Sequence, residues 1–283
     1  MKPRVMSLVL FTCMVGLIIA PNHVSYLNSV LSLIAVALGA GAAGTLNMWY
    51  ESDLDALMTR TCLRPIPTGQ VTKNQALFFG VLLSIGSISL LYFSSNLISA
   101  SLLLLTICFY FFVYTIWLKR RTPQNIVIGG AAGALPPVIG WTIATGSLSI
   151  EPLILFLIIF LWTPSHFWAL SIYKSNDYKK AKIPMLPIIY GIEKTKKSIF
   201  IYSLLMLPTV SAPYFISFLS KIYFYPALAL TIYYIYLCGT LLKIKKSKEV
   251  NTLARKIFLY SIFYLFIIFL LILSDYFFMR FYG

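Results

Sequence analysis

The segment NMWYESDLDALMTRTCLRPIPTG, residues 47–69, follows a long apolar run and holds three carboxylates within five positions. The chain of 283 residues has only eight acidic side chains, so this concentration is unusual. Asn47, Glu51 and Asp55 are four residues apart, and in an α-helix each such step turns the side chain by only about 40°. The three side chains are therefore predicted to form one stripe, with Asp53 on the other side of the helix.

The composition is that of a membrane protein. Hydrophobic residues make up 59% of the chain, charged residues 11%, and the mean hydropathy is +0.85. A soluble domain of this length could not bury so much apolar surface, whereas a bilayer covers it. A helix of about 20 apolar residues crosses the hydrocarbon, and nine segments approach that length: 5–20, 27–46, 76–94, 98–117, 124–143, 152–173, 199–218, 222–242 and 257–278. We predict an all-α, polytopic membrane helix bundle with about nine transmembrane helices, forming one domain over residues 1–283.

The net charge of +15 is explained by topology. If the N-terminus is cytoplasmic, 21 of the 23 basic residues lie in cytoplasmic loops, and only Lys221 and Arg280 lie outside. This asymmetry follows the positive-inside rule. It predicts a cytoplasmic N-terminus, an external C-terminus and no nucleic-acid partner.

The first apolar segment is predicted to be a retained helix. No small-residue cleavage site follows it, and the next span begins at once. The chain also begins without an Arg-rich, Ser-rich transit segment, so a bacterial plasma membrane is the expected location.

Two glycine-rich stretches are predicted to serve helix packing. GAGAAG, residues 39–44, matches a dinucleotide-binding pattern, but that pattern requires a strand before it, and this one lies inside a helical run. Small residues of this kind let membrane helices approach closely. In GGAAGALPPVIGW, residues 129–141, Pro136 and Pro137 are expected to break the fifth span and to border a wide cavity lined by small residues.

The stripe predicts a metal–phosphate site. A carboxylate at bilayer depth costs on the order of 3 kcal/mol, so these groups must face water, a cavity or cations. Carboxylates aligned with the Asn47 amide are hard ligands that suit Mg²⁺ shared with substrate phosphates. Arg60 and Arg64 supply guanidinium groups for phosphate oxygens. The alternative is a solvated helix end whose acids carry no function.

A second polar segment, residues 161–191, follows the sixth span on the same predicted side. Asp177 stands there among several lysines that include Lys174, and it is a candidate fourth metal ligand. Two such loops on one face would close a single cavity. The lysines are equally explained as ordinary cytoplasmic loop charge.

The two polar segments resemble the UbiA superfamily of intramembrane prenyltransferases. The agreement includes the branch that farnesylates haem, whose signature N-x-W-x-E-x-D-x-D-x-x-M-x-R-T-x-x-R-P-x-P-x-G is met throughout residues 47–69. It continues through residues 114–141 and 161–187. One departure concerns the second motif, usually D-x-x-x-D, because Asp177 is followed four residues later by Ala181.

The resemblance implies an activity and its participants. Mg²⁺ on Asn47, Glu51, Asp55 and Asp177 is expected to bind the diphosphate of farnesyl diphosphate. A vinyl group of haem B is the implied acceptor, haem O the product, and haem A synthesis or oxidase assembly proteins the candidate partners. The implied phosphate-binding cations include Lys119, together with Arg60 and Arg64.

Three further residues are assigned to the substrate cavity. His166 is expected to bind haem, through a propionate or the iron, or to handle a proton at the attacked vinyl group; the alternative is a packed core histidine. Tyr114 and Trp168 are candidates for shielding a carbocation with their rings. Packing explains these two aromatic residues equally well.

Three other functions stay open at the sequence level. A transporter would also have many spans, but its polar groups usually lie near the bilayer centre in broken helices. A non-catalytic assembly factor would not need the Asn47–Asp55 stripe. A prenyltransferase acting on an aromatic quinone precursor would share the diphosphate chemistry and differ only in the acceptor pocket.

Overall fold

The computed structural model describes residues 3–59 and 61–282, and this part of the chain contains helices and no strand. The helices are α1 Pro3–Ile18, α2 Tyr26–Tyr50, α3 Ser52–Leu57, α4 Lys73–Ser94, α5 Leu97–Cys108, α6 Asn125–Ala134, α7 Pro136–Thr145, α8 Ile150–Tyr173, α9 Ser175–Lys180, α10 Leu186–Ile189, α11 Gly191–Phe215, α12 Lys221–Lys243 and α13 Ser247–Tyr282. A π-helix, Phe109–Leu118, continues α5 to the end of the third span.

The predicted membrane bundle is confirmed. Eight helical segments within the described residues are long and apolar enough to cross a bilayer, and the shorter apolar stretch Met6–Ile18 supplies the first of the nine predicted spans. The fifth span is broken as expected, since α6 ends at Ala134 and α7 begins at Pro136. The last helix is longer than predicted. Its 36 residues extend about 54 Å, so its charged first turns project beyond a hydrocarbon layer of about 30 Å.

Contacts at the helix ends sort the loops onto two faces. On one face Arg280, at the end of α13, is 3.2 Å from the His23 side chain, and Asp275 accepts a hydrogen bond from the Ser220 N–H. On the other face Lys196 donates to the carbonyl of Ile244 at the end of α12. The polar loops after α2 and after α8 lie on this second face. This is the grouping that the charge distribution requires, although which face is cytoplasmic stays a prediction.

Close helix crossings depend on glycine. A β-carbon at Gly16 would lie 2.1 Å from the Pro137 carbonyl oxygen, and one at Gly140 would lie 1.9 Å from that of Cys13, so α1 and α7 touch through their backbones. A β-carbon at Gly39 of the GAGAAG stretch would lie 2.7 Å from the Leu103 side chain of α5, so this glycine makes room for a side chain. The packing interpretation therefore holds at Gly39, whereas a β-carbon at Gly44 would have no neighbour within 4 Å.

The expected wide cavity along residues 129–140 requires correction. A β-carbon at Gly129 would lie 2.1 Å from the Tyr114 ring, and one at Gly130 would lie 2.9 Å from Thr163. Gly129, Gly130 and Gly140 have no room for a larger side chain, because atoms of neighbouring helices lie where its β-carbon would be. Gly133 is the only glycine of this stretch where an added β-carbon would have no neighbour within 4 Å, and it is exposed.

The core consists of two large apolar clusters. One joins α8 to α11, α12 and α13, and the other joins α2, α4 and α5. Both clusters include side chains of α1 and α7. This shared packing supports the proposal that residues 1–283 form one domain.

Candidate active site

The predicted stripe is continuous in the structure although α2 ends at Tyr50. The Glu51 N–H donates to the Asn47 carbonyl at 3.0 Å, and the Asp55 N–H donates to the Glu51 carbonyl at 2.8 Å. The four-residue hydrogen-bond pattern thus passes through the junction with α3. Asn47, Glu51 and Asp55 are 1%, 1% and 4% exposed. Such burial does not fit a solvated helix end.

Each buried carboxylate of the stripe is paired with a cation. Lys119 Nζ lies 2.5 Å from Glu51 Oε2, and Arg64 Nη1 lies 2.6 Å from Asp55 Oδ2. A buried carboxylate without a partner would be costly. Two of the predicted phosphate-binding cations, Lys119 and Arg64, therefore neutralise two of the predicted metal ligands in this structure.

The Asn47 amide joins the stripe to the third span. Its Nδ2 donates to Glu51 Oε2 at 2.8 Å and to Thr115 Oγ1 at 3.1 Å. The second carboxylate oxygen of Glu51 and the hydroxyl of Ser52 are buried and have no hydrogen-bond partner among the described residues. Buried polar atoms without partners are rare in proteins. The stripe thus retains capacity to bind a ligand.

Asp53 lies off the stripe, as the helical spacing predicts. Its carboxylate receives a two-pronged ion pair from Arg120, with N–O distances of 2.9 and 3.1 Å. Partial burial acts to raise its pKa, but the hydrogen bonds and charge of Arg120, with backbone N–H groups, outweigh this and hold the pKa below the usual value. Asp53 therefore remains ionised at neutral pH. It holds the loop basic residue Arg120 close to α3.

The second polar loop reaches the first through Asp177, in the first turn of α9. Asp177 Oδ2 accepts a hydrogen bond from the Thr59 hydroxyl at 2.7 Å, four residues beyond Asp55. Ala181 is buried, in agreement with its apolar character. Lys174 is exposed, with its ammonium 5.9 Å from the centre of the Tyr173 ring. Arg60 lies outside the described residues.

His166 is sandwiched between aromatic rings. Trp162 stacks on one side with ring centres 4.3 Å apart, and Phe258 of α13 stacks on the other at 4.6 Å. His166 Nδ1 is 2.6 Å from Ser261 Oγ, and that hydroxyl donates to the Phe258 carbonyl at 2.7 Å. When Ser261 gives its one proton to the Phe258 carbonyl, it accepts from the Nδ1–H of a neutral imidazole. The ring then carries no proton on Nε2.

The two candidate shielding aromatics differ in position. Tyr114 lies on the π-helix beside the stripe cations, with Lys119 Nζ 5.7 Å from its ring centre. Trp168 is 2% exposed and packs edge-on against Tyr202 of α11 at 5.3 Å. On α8 it is two residues from His166 and so points to the opposite side of the helix. Packing accounts for Trp168, while Tyr114 keeps both interpretations.

The residues of the stripe fit a magnesium ion that is bound together with a substrate. No group of three or more His, Cys, Asp or Glu side chains poised for a metal occurs in the parts of the chain that the structure describes. Mg²⁺, however, is usually held by one or two carboxylates, with phosphates and water completing its ligands. Glu51, Asp55 and the Asn47 amide meet that requirement. Asp177 lies at the far end of the stripe, on the opposite loop.

Sequence reasoning missed three side chains that hold this site together. Thr59 bonds the two loops, Thr115 bonds the Asn47 amide, and Ser261 bonds His166. Thr115 and Ser261 lie inside apolar spans, where single hydroxyls usually bond to their own helix. No local signal in the sequence distinguishes them.

The bundle buries ionisable ligands at one face and leaves apolar helices beneath them, which suits a diphosphate headgroup with a long apolar tail. These features define an intramembrane prenyltransferase. The chain belongs to the UbiA prenyltransferase family, whose family model matches residues 9–274. The predicted resemblance is therefore confirmed. Membership of this family favours a prenyltransferase over the transporter and assembly-factor alternatives.

Close relatives and solved structures agree with this assignment. The chain is 66% identical to protoheme IX farnesyltransferase of Pelagibacter ubique over 97% of this chain and 91% of the relative. It is 49% identical to the protein of the same name from Parvibaculum lavamentivorans, over 97% and 86%. A solved structure of digeranylgeranylglyceryl phosphate synthase has a TM-score of 0.79 at 21% identity, over 95% and 92% of the two chains. A UbiA homolog from Archaeoglobus fulgidus bound to GPP and Mg²⁺ has a TM-score of 0.67 at 16% identity, over 96% of each chain. At these identities the two structures establish the fold.

Proposed function

We propose that this chain transfers the farnesyl group of farnesyl diphosphate to a vinyl group of haem B and so produces haem O. The binding of farnesyl diphosphate, which we call the donor half of the reaction, is supported by the buried stripe of Asn47, Glu51 and Asp55 with its paired cations. The acceptor and the length of the prenyl chain rest on the activity named for the relatives that are 66% and 49% identical.

The donor half binds and activates the diphosphate. Asn47, Glu51 and Asp55, with Asp177 from the opposite loop, would hold Mg²⁺, which supplies a counter-charge to the oxygens of the leaving group. Lys119 and Arg64 lie within reach of the same position and would exchange their carboxylate partners for phosphate oxygens. Arg60 and Lys174 are proposed to add positive charge at the mouth of the site.

The carbon–oxygen bond at C1 of the farnesyl chain breaks with both electrons passing to the diphosphate. Lys119 and Arg64 stabilise the developing negative charge, as fixed cations do in a site shielded from water. The terminal vinyl carbon of haem then bonds to C1, and the resulting cation on the inner vinyl carbon takes up water and loses a proton. Tyr114, beside the leaving-group cations, is positioned to stabilise the allylic cation with its ring.

The acceptor half is assigned to α8 and α13. In the tautomer set by Ser261, the Nε2 of His166 has a lone pair and no proton. It can therefore bind haem iron or accept the proton that water loses, whereas it has no proton to donate to a propionate. Trp162 and Phe258 hold the ring between them and exclude water from its faces. We retain iron binding and proton acceptance as the two roles for His166.

The location follows from the bundle and the charge pattern. The protein is a multi-pass membrane protein, and we propose the bacterial plasma membrane, with both polar loops on the cytoplasmic face. There the water-soluble diphosphate headgroup enters from the same side as Mg²⁺. Proteins of haem A synthesis or oxidase assembly remain the proposed partners.

Haem extraction and chromatography test the proposal in cells that lack haem O. The expected result is haem O in cells that carry this gene, and none in cells that carry Glu51→Gln. Glu249→Gln is a matched control, because Glu249 forms an exposed ion pair with Lys246 at 3.6 Å and lies far along the chain from the stripe. A prenylated aromatic quinone precursor with unchanged haem would contradict the acceptor and leave the donor half standing.

A further inference from the structure

The half of the third span that lies beside the stripe departs from α-helical geometry. In the π-helix Phe109–Leu118, backbone groups bond to carbonyls five residues earlier, as the Lys119 N–H does to the Tyr114 carbonyl at 3.0 Å. Short π segments occur frequently at functional sites. Thr115 in this segment contacts Asn47 of the stripe, and Lys119, directly after the segment, contacts Glu51.

The hydroxyl of Thr115 is fully buried and uses its only proton within its own helix. It donates to the Tyr110 carbonyl at 2.8 Å, five residues back, which is the spacing of a π turn. A hydroxyl has one proton and lone pairs that accept. Toward Asn47, at 3.1 Å, Thr115 can therefore act only as an acceptor.

This arrangement fixes which end of the Asn47 amide faces Thr115. The two protons on Nδ2 go to Thr115 and to the Glu51 carboxylate. In the flipped amide, the carbonyl oxygen would face the Glu51 oxygen at 2.8 Å and the Thr115 oxygen, which is repulsive on both sides. The amide oxygen, the only atom of this side chain that suits a hard cation, is thereby directed away from the π-helix.

We propose that Thr115 is a positioning residue that orients the Asn47 amide oxygen for the metal and its diphosphate. The inference rests on the proposed function of the stripe. Groups that orient metal ligands through hydrogen bonds typically contribute a factor of 10–100 to metal affinity. The π-helical backbone positions the Thr115 hydroxyl beside the Asn47 amide.

Calorimetric titration of the purified, detergent-solubilised protein with farnesyl diphosphate, in Mg²⁺ and in EDTA, tests the proposal without turnover. Thr115→Val keeps the shape and removes the hydroxyl. The Mg²⁺-dependent gain in affinity is expected to fall about 10–100-fold, while affinity in EDTA stays within a few-fold because Lys119 and Arg64 are intact. Thr115→Ser is expected to restore most of the gain.

Thr142→Val is the matched control. Thr142 is equally buried, donates to the Ile139 carbonyl at 3.0 Å and accepts from Ser99 of another helix at 3.0 Å, but its partners belong to α7 and α5 and not to the stripe. It should leave the Mg²⁺-dependent gain unchanged. In an Asn47→Asp background the effect of Thr115→Val should shrink, since a carboxylate has two equivalent oxygens and needs no orientation.

The outcomes separate this inference from the proposed function. Unchanged Mg²⁺-dependent gain in Thr115→Val, or equal loss with and without the metal, overturns the positioning role. If Thr115→Val does not fold, Thr115→Ala compared with Thr115→Ser gives the same test. If Glu51→Gln also keeps the full gain, the metal site on the stripe is wrong, whatever Thr115 does.

Discussion

Replacing Glu51 by glutamine should change diphosphate binding in opposite directions with and without metal. In the structure Glu51 forms an ion pair with Lys119, so a diphosphate that approaches this lysine also meets the carboxylate. Glu51→Gln removes that repulsion and leaves the cation available. Without metal the variant should therefore bind farnesyl diphosphate more tightly than the wild type, while Mg²⁺ should no longer improve its affinity.

The magnitude follows from the ion-pair geometry. Lys119 Nζ is 2.5 Å from the Glu51 oxygen. A phosphate oxygen on the far side of the ammonium group would be about 5 Å from that carboxylate, which corresponds to a repulsion of about 3 kcal/mol per unit charge at an effective dielectric constant of about 20. Lys119 is 18% exposed, so solvent screens part of this energy. Half of it corresponds to roughly tenfold tighter binding in EDTA.

Calorimetric titration in EDTA and in Mg²⁺ measures both effects on one protein. Glu249→Gln, with the same chemical change in an exposed pair, should alter neither value. The reasoning is refuted if Glu51→Gln binds no more tightly than the wild type in EDTA and gains as much from Mg²⁺. In that case Glu51 would neither compete for Lys119 nor hold the metal.

Three other expectations follow from the same structure. Reporter fusions after Lys182 should report the cytoplasm and one after Gly146 the far side; a periplasmic signal at Lys182 would contradict the proposed sidedness. Gly44 is buried one turn before the stripe and a side chain there would enter space free of atoms within 4 Å, which we assign to the farnesyl tail. Gly44→Leu should therefore lower turnover without loss of thermal stability, since leucine favours a helix over glycine by roughly 0.5–1 kcal/mol; normal turnover would place the farnesyl tail elsewhere. His166→Ala should impair haem use more than farnesyl diphosphate binding, and Ser261→Ala should weaken the haem step about tenfold; equal loss of both substrates would leave His166 with a packing role.

The helices and the stripe were predictable because their causes are local. A run of about 20 apolar residues identifies a transmembrane helix, and Pro136 accounts for the break between α6 and α7. Spacing alone places Asn47, Glu51 and Asp55 on one side of a helix and Asp53 on the other. The motif match then identified the family that the comparisons confirmed.

The connections between helices were not predictable because they depend on tertiary packing. Arg120 and Lys119 are neighbours in one basic run, yet Lys119 pairs with buried Glu51 and Arg120 with exposed Asp53. Nothing in the apolar sequence of the third span marks a π-helix. The prediction of a wide cavity along residues 129–140 was wrong because small residues occur both beside cavities and where helices cross closely, and the sequence does not distinguish the two.

That correction changes where room for haem must be sought. Gly129, Gly130 and Gly140 are in contact with neighbouring helices, so the macrocycle cannot lie along the whole stretch. Gly44 on α2 is buried, yet a β-carbon there would have no neighbour within 4 Å, whereas Gly133 on α6 is exposed and its open side faces outward. The proposed donor groups lie on α2 and the π-helix, and the proposed acceptor groups lie on α8 and α13. The hydrogen bond from Thr59 to Asp177 joins the loops that follow α2 and α8. We propose that this contact holds a diphosphate at the stripe close to an acceptor beside α8.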